Sequence, residues 1–319
     1  MSKNKLAILA AVAAITVACI FYFALRPADA GNPAPVVFEI RHGESFTDIV
    51  HGLAAANLIR SSLAFEVASV ASGEAFHLKA GLYRLDPAMS SFAILSQLAS
   101  SGGQPITVTI PEGKNIYEID AALANALVIK PGELVAYDKN GEWRMEDGEW
   151  GTLEGHLFPD TYQFAPGSGI QDVVQKFLDN FRAKAAPVLG DTTSTAEQTL
   201  ILASILEKEV QTPADQAIVA GILEKRLAAG MYLDVDATVK YGNLVSGSER
   251  PATSSPYDTY HHKGLPPTPI GNPGLQVIQA ALHPQNSPYW YYLSDPKTGK
   301  TIYARTLAEQ NKNIALYLK

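Results

Sequence analysis

The second half of the chain is built around residues 200–215, which read LILASILEKEVQTPAD. Leu202, Ile205, Leu206 and Glu209 share one helical stripe, because positions i, i+3, i+4 and i+7 fall on the same face of an α-helix. The segment from Thr212 then supplies a helix N-cap, a proline at the first helical position and an acid at the third. The stretch therefore predicts an apolar helix that ends near Glu209, a corner, and a second helix.

Glu209 occupies an unfavourable place for a carboxylate. Its charge would oppose the dipole at the C-terminal end of the helix, at roughly 0.3–1 kcal/mol, and apolar neighbours further disfavour ionisation. General-acid cleavage of a glycosidic bond needs a carboxyl group that is still protonated near neutral pH. A surface ion pair with Lys208 or Lys225 is the alternative interpretation. Glu207 points about 200° away around the same helix.

Composition sets limits on the class of protein. A length of 319 residues suggests about two domains, and a hydrophobic content of 47% is enough for a sizeable core. The net charge of −7 argues against nucleic-acid binding. Cys19 is the only cysteine, so no intramolecular disulfide forms. The sequence has no zinc-type spacing, Walker loop or G-x-S-x-G elbow, so we expect neither a metal nor a cofactor.

The N-terminal region predicts a membrane anchor. The run from Leu6 to Leu25 has no charged residue and is long enough to span a bilayer once, and Lys3 and Lys5 precede it. The positive-inside rule then predicts a cytoplasmic N-terminus (1–5), a transmembrane helix (6–25) and a linker (26–36), with the rest outside the cytoplasm. A cleaved signal peptide is the rival, although its apolar core is usually shorter.

A self-similarity follows the linker. Residues 38–45 (FEIRHGES) align without a gap with residues 108–115 (VTIPEGKN), and the match continues to Ile59 and Ile129. Each copy predicts a strand, a glycine turn, a Ser or Asn at an N-cap and an amphipathic helix. This order resembles the start of a LysM-type unit, a small module that binds cell-wall glycan; packing units without a ligand are the alternative. We assign a LysM-like subdomain to 37–103, and a second strand–helix unit with a connecting loop to 104–150.

The remaining residues, 151–319, predict a larger domain. We expect an irregular loop at 153–162, helices at 170–185, 195–210 and 213–229, and an aromatic strand at 288–293. Residues 231–242 predict an extended segment in which Asp234 and Asp236 face the same side. Residues 131–150 predict a loop or small hairpin.

Four blocks in this region resemble the YceG-like (MltG) family of endolytic murein transglycosylases. They are LEGHLFPDTYQF (153–164), ASILEKE (203–209), RLAAGMYLDVDATVKYG (226–242) and SPYDTYHHKGLPPTPIGNPG (255–274). The resemblance implies an α+β fold and a membrane-held enzyme that cleaves inside peptidoglycan strands outside the cytoplasm. Its catalytic acid is the second Glu of EKE, which is Glu209. The groove residues that the resemblance implies are Arg226, Asp236, Thr259, Tyr260, Pro266 and Asn272.

The chain departs from the family pattern at several positions. Asp234, Ala237 and Asp258 stand where the family usually has a Gln-type residue, Pro and Asn. Two C-terminal elements of the family appear here as Thr301–Tyr303 and Glu309–Asn311. These changes affect expected sugar contacts and leave Glu209 in place.

The resemblance implies a one-carboxyl mechanism that ends in a 1,6-anhydro-muramyl product, and peptidoglycan strands, the membrane and peptidoglycan synthases as partners. Two other functions stay open. A non-catalytic wall-binding protein would not need Glu209, and a hydrolytic muramidase would need a second acid, with Asp236 or Glu154 as candidates. An older family label, aminodeoxychorismate lyase, does not suit an exported, anchored chain.

Overall fold

The computed structural model describes residues 3–31, 33–41, 43–100, 105–141, 151–165, 167–190, 193–247 and 255–318, without the side chains of 3–10, 193 and 194. These residues form an α+β fold, as predicted. The helices are α1 Lys3–Ala24, α2 Phe46–Ala55, α3 Ser62–Ser72, α4 Ser91–Ser100, α5 Ile116–Asn125, α6 Glu133–Lys139, α7 Ile170–Lys184, α8 Ala186–Leu189, α9 Thr193–Glu209, α10 Pro213–Ala228, α11 Asp236–Ser246, α12 Leu275–Leu282 and α13 Leu307–Tyr317. The strands are β1 Val36–Ile40, β2 Gly81–Leu85, β3 Ile106–Thr109, β4 Thr161–Phe164, β5 Tyr291–Ser294 and β6 Thr301–Ala304.

The strands pair in two-stranded sheets, β1 with β2, β3 with β4 and β5 with β6. In the antiparallel β1–β2 pair, Val36 lies opposite Leu85; in the antiparallel β5–β6 pair, Tyr292 lies opposite Tyr303. The aromatic strand predicted at 288–293 overlaps β5.

Among the helices of the described chain, none has both the length and the hydropathy required for crossing a bilayer. The predicted span, 6–25, coincides with most of α1. The side chains of residues 6–10, the first five of the span, lie outside the described part of the structure. The anchor therefore stays a prediction.

The chain divides into two compact units. The first comprises Met1–Val108, Leu123–Pro131 and Gln163–Gly169, and the second Thr109–Ala122, Gly132–Tyr162 and Ile170–Lys319. The core of the first unit lies between the β1–β2 sheet and helices α2 to α4, with Leu53, Phe65 and Leu85 almost fully buried. The predicted domain limits at 37–103, 104–150 and 151–319 stay predictions.

The two sequence copies adopt the predicted local structure. In each, a strand (β1 or β3) leads through a glycine at positive φ (Gly43 at 81°, Gly113 at 76°) into a helix (α2 or α5). A glycine suits this left-handed region because it has no Cβ to clash. The helix starts are capped alike, since the Asp48 N–H donates to Ser45 Oγ (3.2 Å) and the Glu118 N–H donates to Asn115 Oδ1 (2.9 Å).

The core of the second unit is built on α9, which packs against α10, α11 and α12. The predicted corner after α9 is confirmed. Thr212 is the N-cap of α10, its Oγ1 accepts from the Asp215 N–H (3.2 Å), and Pro213 is the first helical residue. Leu202, Ile205 and Leu206 are at most 4% exposed, so the predicted apolar stripe of α9 faces the core.

Two local predictions were wrong. The extended segment at 231–242 is interrupted by α11, which starts at Asp236, and Asp234 has a left-handed φ of 52°, so the two aspartates do not share a strand face. Val235, Thr238 and Val239 favour a strand locally, but packing of α11 against α9 overrides that propensity.

The loop predicted at 131–150 contains α6. The carboxylate of Asp120 accepts from the N–H groups of Gly132 (2.7 Å) and Leu134 (2.9 Å), so a side chain from another helix caps the first turn of α6. No cap of that kind is visible in the local sequence. Residues 142–150 of the same prediction lie outside the described part of the chain.

Candidate active site

Glu209 is the last residue of α9, and its carboxylate lies against the first turn of α11 and against β5. The hydroxyl of Tyr292 and the backbone N–H of Ala237 both donate to it. The charges of the acid Asp236 and the base Lys240, both exposed on α11, act on it. Glu209 thus ends a buried stripe and faces polar groups from two other elements.

The pKa of Glu209 is raised above its ordinary value. Burial is the main cause and the negative charge of Asp236 adds to it, while Lys240 and the hydrogen bonds from Tyr292 and Ala237 act in the opposite direction. Burial favours the protonated carboxyl group, and the two donors stabilise the carboxylate once the proton has left. The group is therefore suited to give a proton and then to take one back.

Asp236 and Tyr260 are the two predicted groove residues that come close to Glu209. The hydroxyl of Tyr260 donates to Asp236 Oδ1 (2.7 Å), and both residues are exposed. Burial is the main cause of the raised pKa of Tyr260, and the hydrogen bond to Asp236 and the charges of Asp236 and Glu209 add to it. These two side chains line the solvent side of the site.

Arg226 and Thr259, also predicted as groove residues, lie in the interior. Arg226 is 4% exposed and donates to the carbonyls of Leu233 (2.7 Å) and Trp290 (2.8 Å). Thr259 is 1% exposed, and its Oγ1 accepts from the N–H of Val235 (3.0 Å). Both residues therefore hold the loop before α11 in place. Asp236 and the Ala237 N–H belong to the first turn of α11, directly after this loop. Their described contacts fit positioning rather than direct sugar binding.

Asn272 and Pro266 are buried as well. The side chain of Asn272 donates to Lys114 O (2.9 Å) and Glu154 Oε1 (2.8 Å) and accepts from the Leu157 N–H (2.8 Å). These hydrogen bonds connect separate parts of the second unit. Because Asn272 has no exposed surface, it cannot touch a glycan directly.

Glu154 was a candidate second acid for a muramidase, and the structure corrects that expectation. It is fully buried and accepts from the Ile116 N–H (3.0 Å), Tyr241 Oη (2.8 Å) and Asn272. Burial, partly offset by these hydrogen bonds, raises its pKa to about 7. A carboxyl group enclosed in this way has no path to a substrate.

Glu207, the first acid of EKE, points away from Glu209, as the helical spacing predicted. One of its oxygens accepts from the Gly274 N–H (3.0 Å) at the N-cap of α12. Burial and the neighbouring Glu112 raise its pKa too. A raised pKa therefore does not distinguish the two acids, whereas their positions do.

Sequence reasoning missed the groups that contact the Glu209 carboxyl. Tyr292 lies in the predicted aromatic strand (288–293) and has no predicted role of its own, and the sequence assigns no role to the Ala237 N–H or to Lys240. No spacing rule links these residues to Glu209, because they meet it only through tertiary structure. The Ala237 N–H also depends on a helix start that the sequence did not predict.

Comparisons with known proteins agree with the blocks found in the sequence. The model of the YceG-like family matches residues 38–316, so this chain belongs to the YceG-like family. An endolytic murein transglycosylase of Bacillus subtilis (strain 168) is 28% identical to this chain over an alignment of 321 residues, gaps included. The alignment covers 92% of this chain and 88% of the relative.

Two further comparisons extend this result. An endolytic murein transglycosylase of Streptococcus pneumoniae (serotype 2, strain D39) is 26% identical, and the match covers 91% of this chain and 60% of that relative. The crystal structure of a YceG-like protein from Listeria monocytogenes aligns with a TM-score of 0.52 at 27% identity, covering 88% of this chain and 99% of that one.

Proposed function

We propose that this chain is an endolytic lytic transglycosylase of murein in which Glu209 alone serves as acid and then as base. The observation that carries the proposal is the Glu209 carboxyl group at the end of an apolar helix, with a raised pKa and two donors directed at it. Membership of the YceG-like family and relatives named endolytic murein transglycosylase support the same reaction.

The reaction needs two proton transfers, and Glu209 takes part in both. Protonated Glu209 gives its proton to the glycosidic oxygen between N-acetylmuramic acid and N-acetylglucosamine, and the bond from the muramyl anomeric carbon to that oxygen breaks. The Glu209 carboxylate then removes the proton of the muramyl 6-hydroxyl, whose oxygen bonds to the anomeric carbon. The products are a 1,6-anhydro-muramyl end and a free hydroxyl on N-acetylglucosamine. Because the nucleophile belongs to the substrate, the enzyme needs no second catalytic carboxylate.

A hydrolytic muramidase is the second candidate, because Asp236 lies close enough to Glu209 to raise its pKa. Asp236 is exposed and accepts a hydrogen bond from the Tyr260 hydroxyl, so its carboxyl group lies on the solvent side of the site. As the base that activates a water molecule it would give reducing muramyl ends instead of anhydro ends. The products therefore distinguish the two reactions.

The test is mass spectrometry of products from uncrosslinked glycan strands incubated with the full chain. Glu209→Gln should lower the rate by about 10²–10⁴-fold, the usual contribution of a general acid–base group. Glu207→Gln is the matched control, since it removes a carboxyl group of raised pKa from the same helix. It should still give anhydro ends. Anhydro ends from Glu209→Gln at the wild-type rate would overturn the assignment of the acid, and reducing ends from wild type would make the enzyme a hydrolase.

The hydrogen bond from Tyr292 provides a second test. Activity that depends on protonated Glu209 should be present below its raised pKa and lost as pH rises through it. Tyr292→Phe removes a donor that lowers this pKa, so the alkaline limb of the pH–rate profile should move to higher pH. Tyr303→Phe is the control, because Tyr303 lies opposite Tyr292 in the β5–β6 pair but donates to Asp215. An unshifted limb in Tyr292→Phe would contradict a role for Tyr292 in tuning Glu209.

For location, we propose that residues 6–25 anchor the chain in the plasma (inner) membrane with the N-terminus in the cytoplasm. The support is the uncharged run, whose length matches the roughly 20 residues that a span needs, and the lysines at positions 3 and 5. In this topology the residues that follow the anchor lie on the side of the membrane where murein is found.

A further inference from the structure

The end of α1 is attached to the body of the first unit. Leu25 forms a small apolar cluster with Ala64 and Ala68 of α3, and Phe21 packs against it. The carbonyl of Leu25 also accepts from the N–H of Ser91, the first residue of α4 (3.1 Å). Hence α3 and α4 lie beside the point where the chain leaves α1.

A group of exposed apolar side chains lies on α3, on α4 and in the 3-10 turn that follows α3. Leu63, Val67 and Val70 are 71%, 48% and 56% exposed, and their spacing of i, i+4 and i+7 places them along one stripe of α3. Phe76, in the 3-10 turn after α3, and Phe92, on α4, are 81% and 54% exposed. These five residues are called the α3 surface below. Apolar surface of this kind in a soluble unit marks a contact site.

The α3 surface adjoins the side of α3 that faces α1. Leu63 and Val67 each directly precede one of the two alanines that contact α1, which is a rotation of about 100° around the helix. Phe92 and Tyr22 line one groove together with Leu25 and Arg26. The exposed apolar surface thus continues from α1 onto α3 and α4.

The side chains at the end of α1 indicate what covers this surface. Tyr22 and Phe23 are 63% and 56% exposed, and the guanidinium of Arg26 lies 5.8 and 5.7 Å from the centres of their rings. Aromatic and basic residues at the end of an apolar helix are typical of the membrane–water interface. The same interface would therefore lie next to the α3 surface.

We propose that the α3 surface rests on the bilayer, at the boundary between headgroups and acyl chains, beside the point where α1 enters it. This inference depends on the proposed anchor and adds a second membrane contact to it. Interfacial helices bury their apolar face about 5–10 Å into this boundary. A short stripe binds weakly alone, but α1 holds it at high effective concentration near the lipid. The first unit is then held on the membrane surface rather than on a free tether.

The test uses the full chain in vesicles of phosphatidylethanolamine and phosphatidylglycerol. Cys19 is replaced by alanine, and an environment-sensitive fluorophore is attached to one introduced cysteine at a time. Val67→Cys reports on the α3 surface, Ile15→Cys on α1, and Thr47→Cys, at an exposed position on α2, on water. Emission is compared with and without nitroxide-bearing lipids, which quench only fluorophores that touch lipid. We expect loss of emission at 15 and 67 and none at 47.

Other outcomes overturn the proposal in distinguishable ways. Quenching at 15 with water-like emission at 67 leaves the anchor intact and refutes the α3 contact. Blue-shifted but unquenched emission at 67 means that protein, such as a second copy of the chain, covers the surface. Equal quenching at 47 and 67 means that the unit touches lipid without using this surface. No quenching at 15 refutes the anchor itself and the inference with it.

Discussion

The two copies of the strand–turn–helix sequence, residues 38–59 and 108–129, fold alike but are used differently. Their agreement extends beyond the glycine turn, because in each copy the second residue after the helix has a positive φ, Asn57 at 54° and Leu127 at 60°. The N–H after that residue donates to the same helical position, Leu58 to Leu53 O and Val128 to Leu123 O, both at 2.9 Å. The repeated pattern is thus sufficient to specify the local backbone.

The turns differ in what they contact. In the first copy the Glu44 side chain folds back and accepts from the Arg41 N–H (2.8 Å). In the second, the Gly113 N–H donates to Asn272 O and Lys114 O accepts from the Asn272 N–H, at 2.8 and 2.9 Å. The turn of the second copy is therefore bonded to the loop before α12, through a residue that lies outside the repeat.

Removal of the Asn272 side chain should destabilise the second copy but not the first, and this is the largest effect that we expect. Asn272→Ala leaves the buried Leu157 N–H without its acceptor and takes one donor from Glu154. Each loss costs about 1–3 kcal/mol, so we expect the second unit to lose about 4 kcal/mol of stability. Hydrogen exchange should rise in peptides from 109–122, and peptides from 43–55 should be unchanged. Equal changes in both copies would show that Asn272 does not act through the second copy.

The pH dependence of Glu154 should give the next largest effect. Its pKa is about 7 in the folded chain against an ordinary 4.5, so its contribution to stability is complete below pH 4.5 and is lost as pH rises through 7. That shift corresponds to about 3 kcal/mol. Glu154→Gln resembles the protonated form, since its carbonyl oxygen can accept from Ile116 and Asn272 while its amide donates to Tyr241.

The measurement compares unfolding by urea at pH 4.5 and about pH 8, with exchange of 109–122 as the local readout. Wild type should lose about 3 kcal/mol more than Glu154→Gln over this range, because the other titrating groups are common to both proteins. Parallel losses in the two proteins would mean that Glu154 is not the group that titrates. The helix α2 should show no difference between the two proteins, since its start has no such carboxyl partner in the described structure.

The sequence predicted those elements of the fold that are specified by residues close together in the chain. The stripe of α9, the Thr212–Pro213 start of α10 and both repeat copies depend on residues within a few positions of one another, and all were predicted correctly. The start of α11 was missed because Val235 supplies no side-chain cap, and α6 because its cap comes from Asp120. Those elements are decided by partners elsewhere in the chain.

The candidate site follows the same rule. Helical spacing predicted Glu209, because its apolar stripe is a local feature of the sequence. The family resemblance implied the same residue through the EKE motif. The resemblance also implied Asn272 and Thr259 as groove residues, but sequence does not distinguish a side chain that faces a ligand from one that holds a loop in place. Burial made that distinction, since Asn272 and Thr259 are at most 1% exposed.

A substitution of the turn glycines should give the smallest effect and the most direct comparison of the copies. Alanine at a positive φ costs roughly 1–2 kcal/mol at either position. A Cβ on Gly43 meets no described atom within 4 Å, whereas a Cβ on Gly113 lies 3.0 Å from Glu207 Cγ. Glu207 would have to shift and so weaken its bond from the Gly274 N–H. Gly113→Ala should therefore cost about 1 kcal/mol more than Gly43→Ala.

Local opening free energies from hydrogen exchange of α5 and α2 measure this difference. Glu207→Ala in the Gly113→Ala background serves as the control, because it removes the atom that the new Cβ meets. The cost of Gly113→Ala, measured against Glu207→Ala alone, should then fall to that of Gly43→Ala. If the extra cost persists without the Glu207 side chain, the two turns differ in their backbones rather than in what packs on them, and the repeat would specify less of the local structure than the shared dihedral angles and hydrogen bonds indicate.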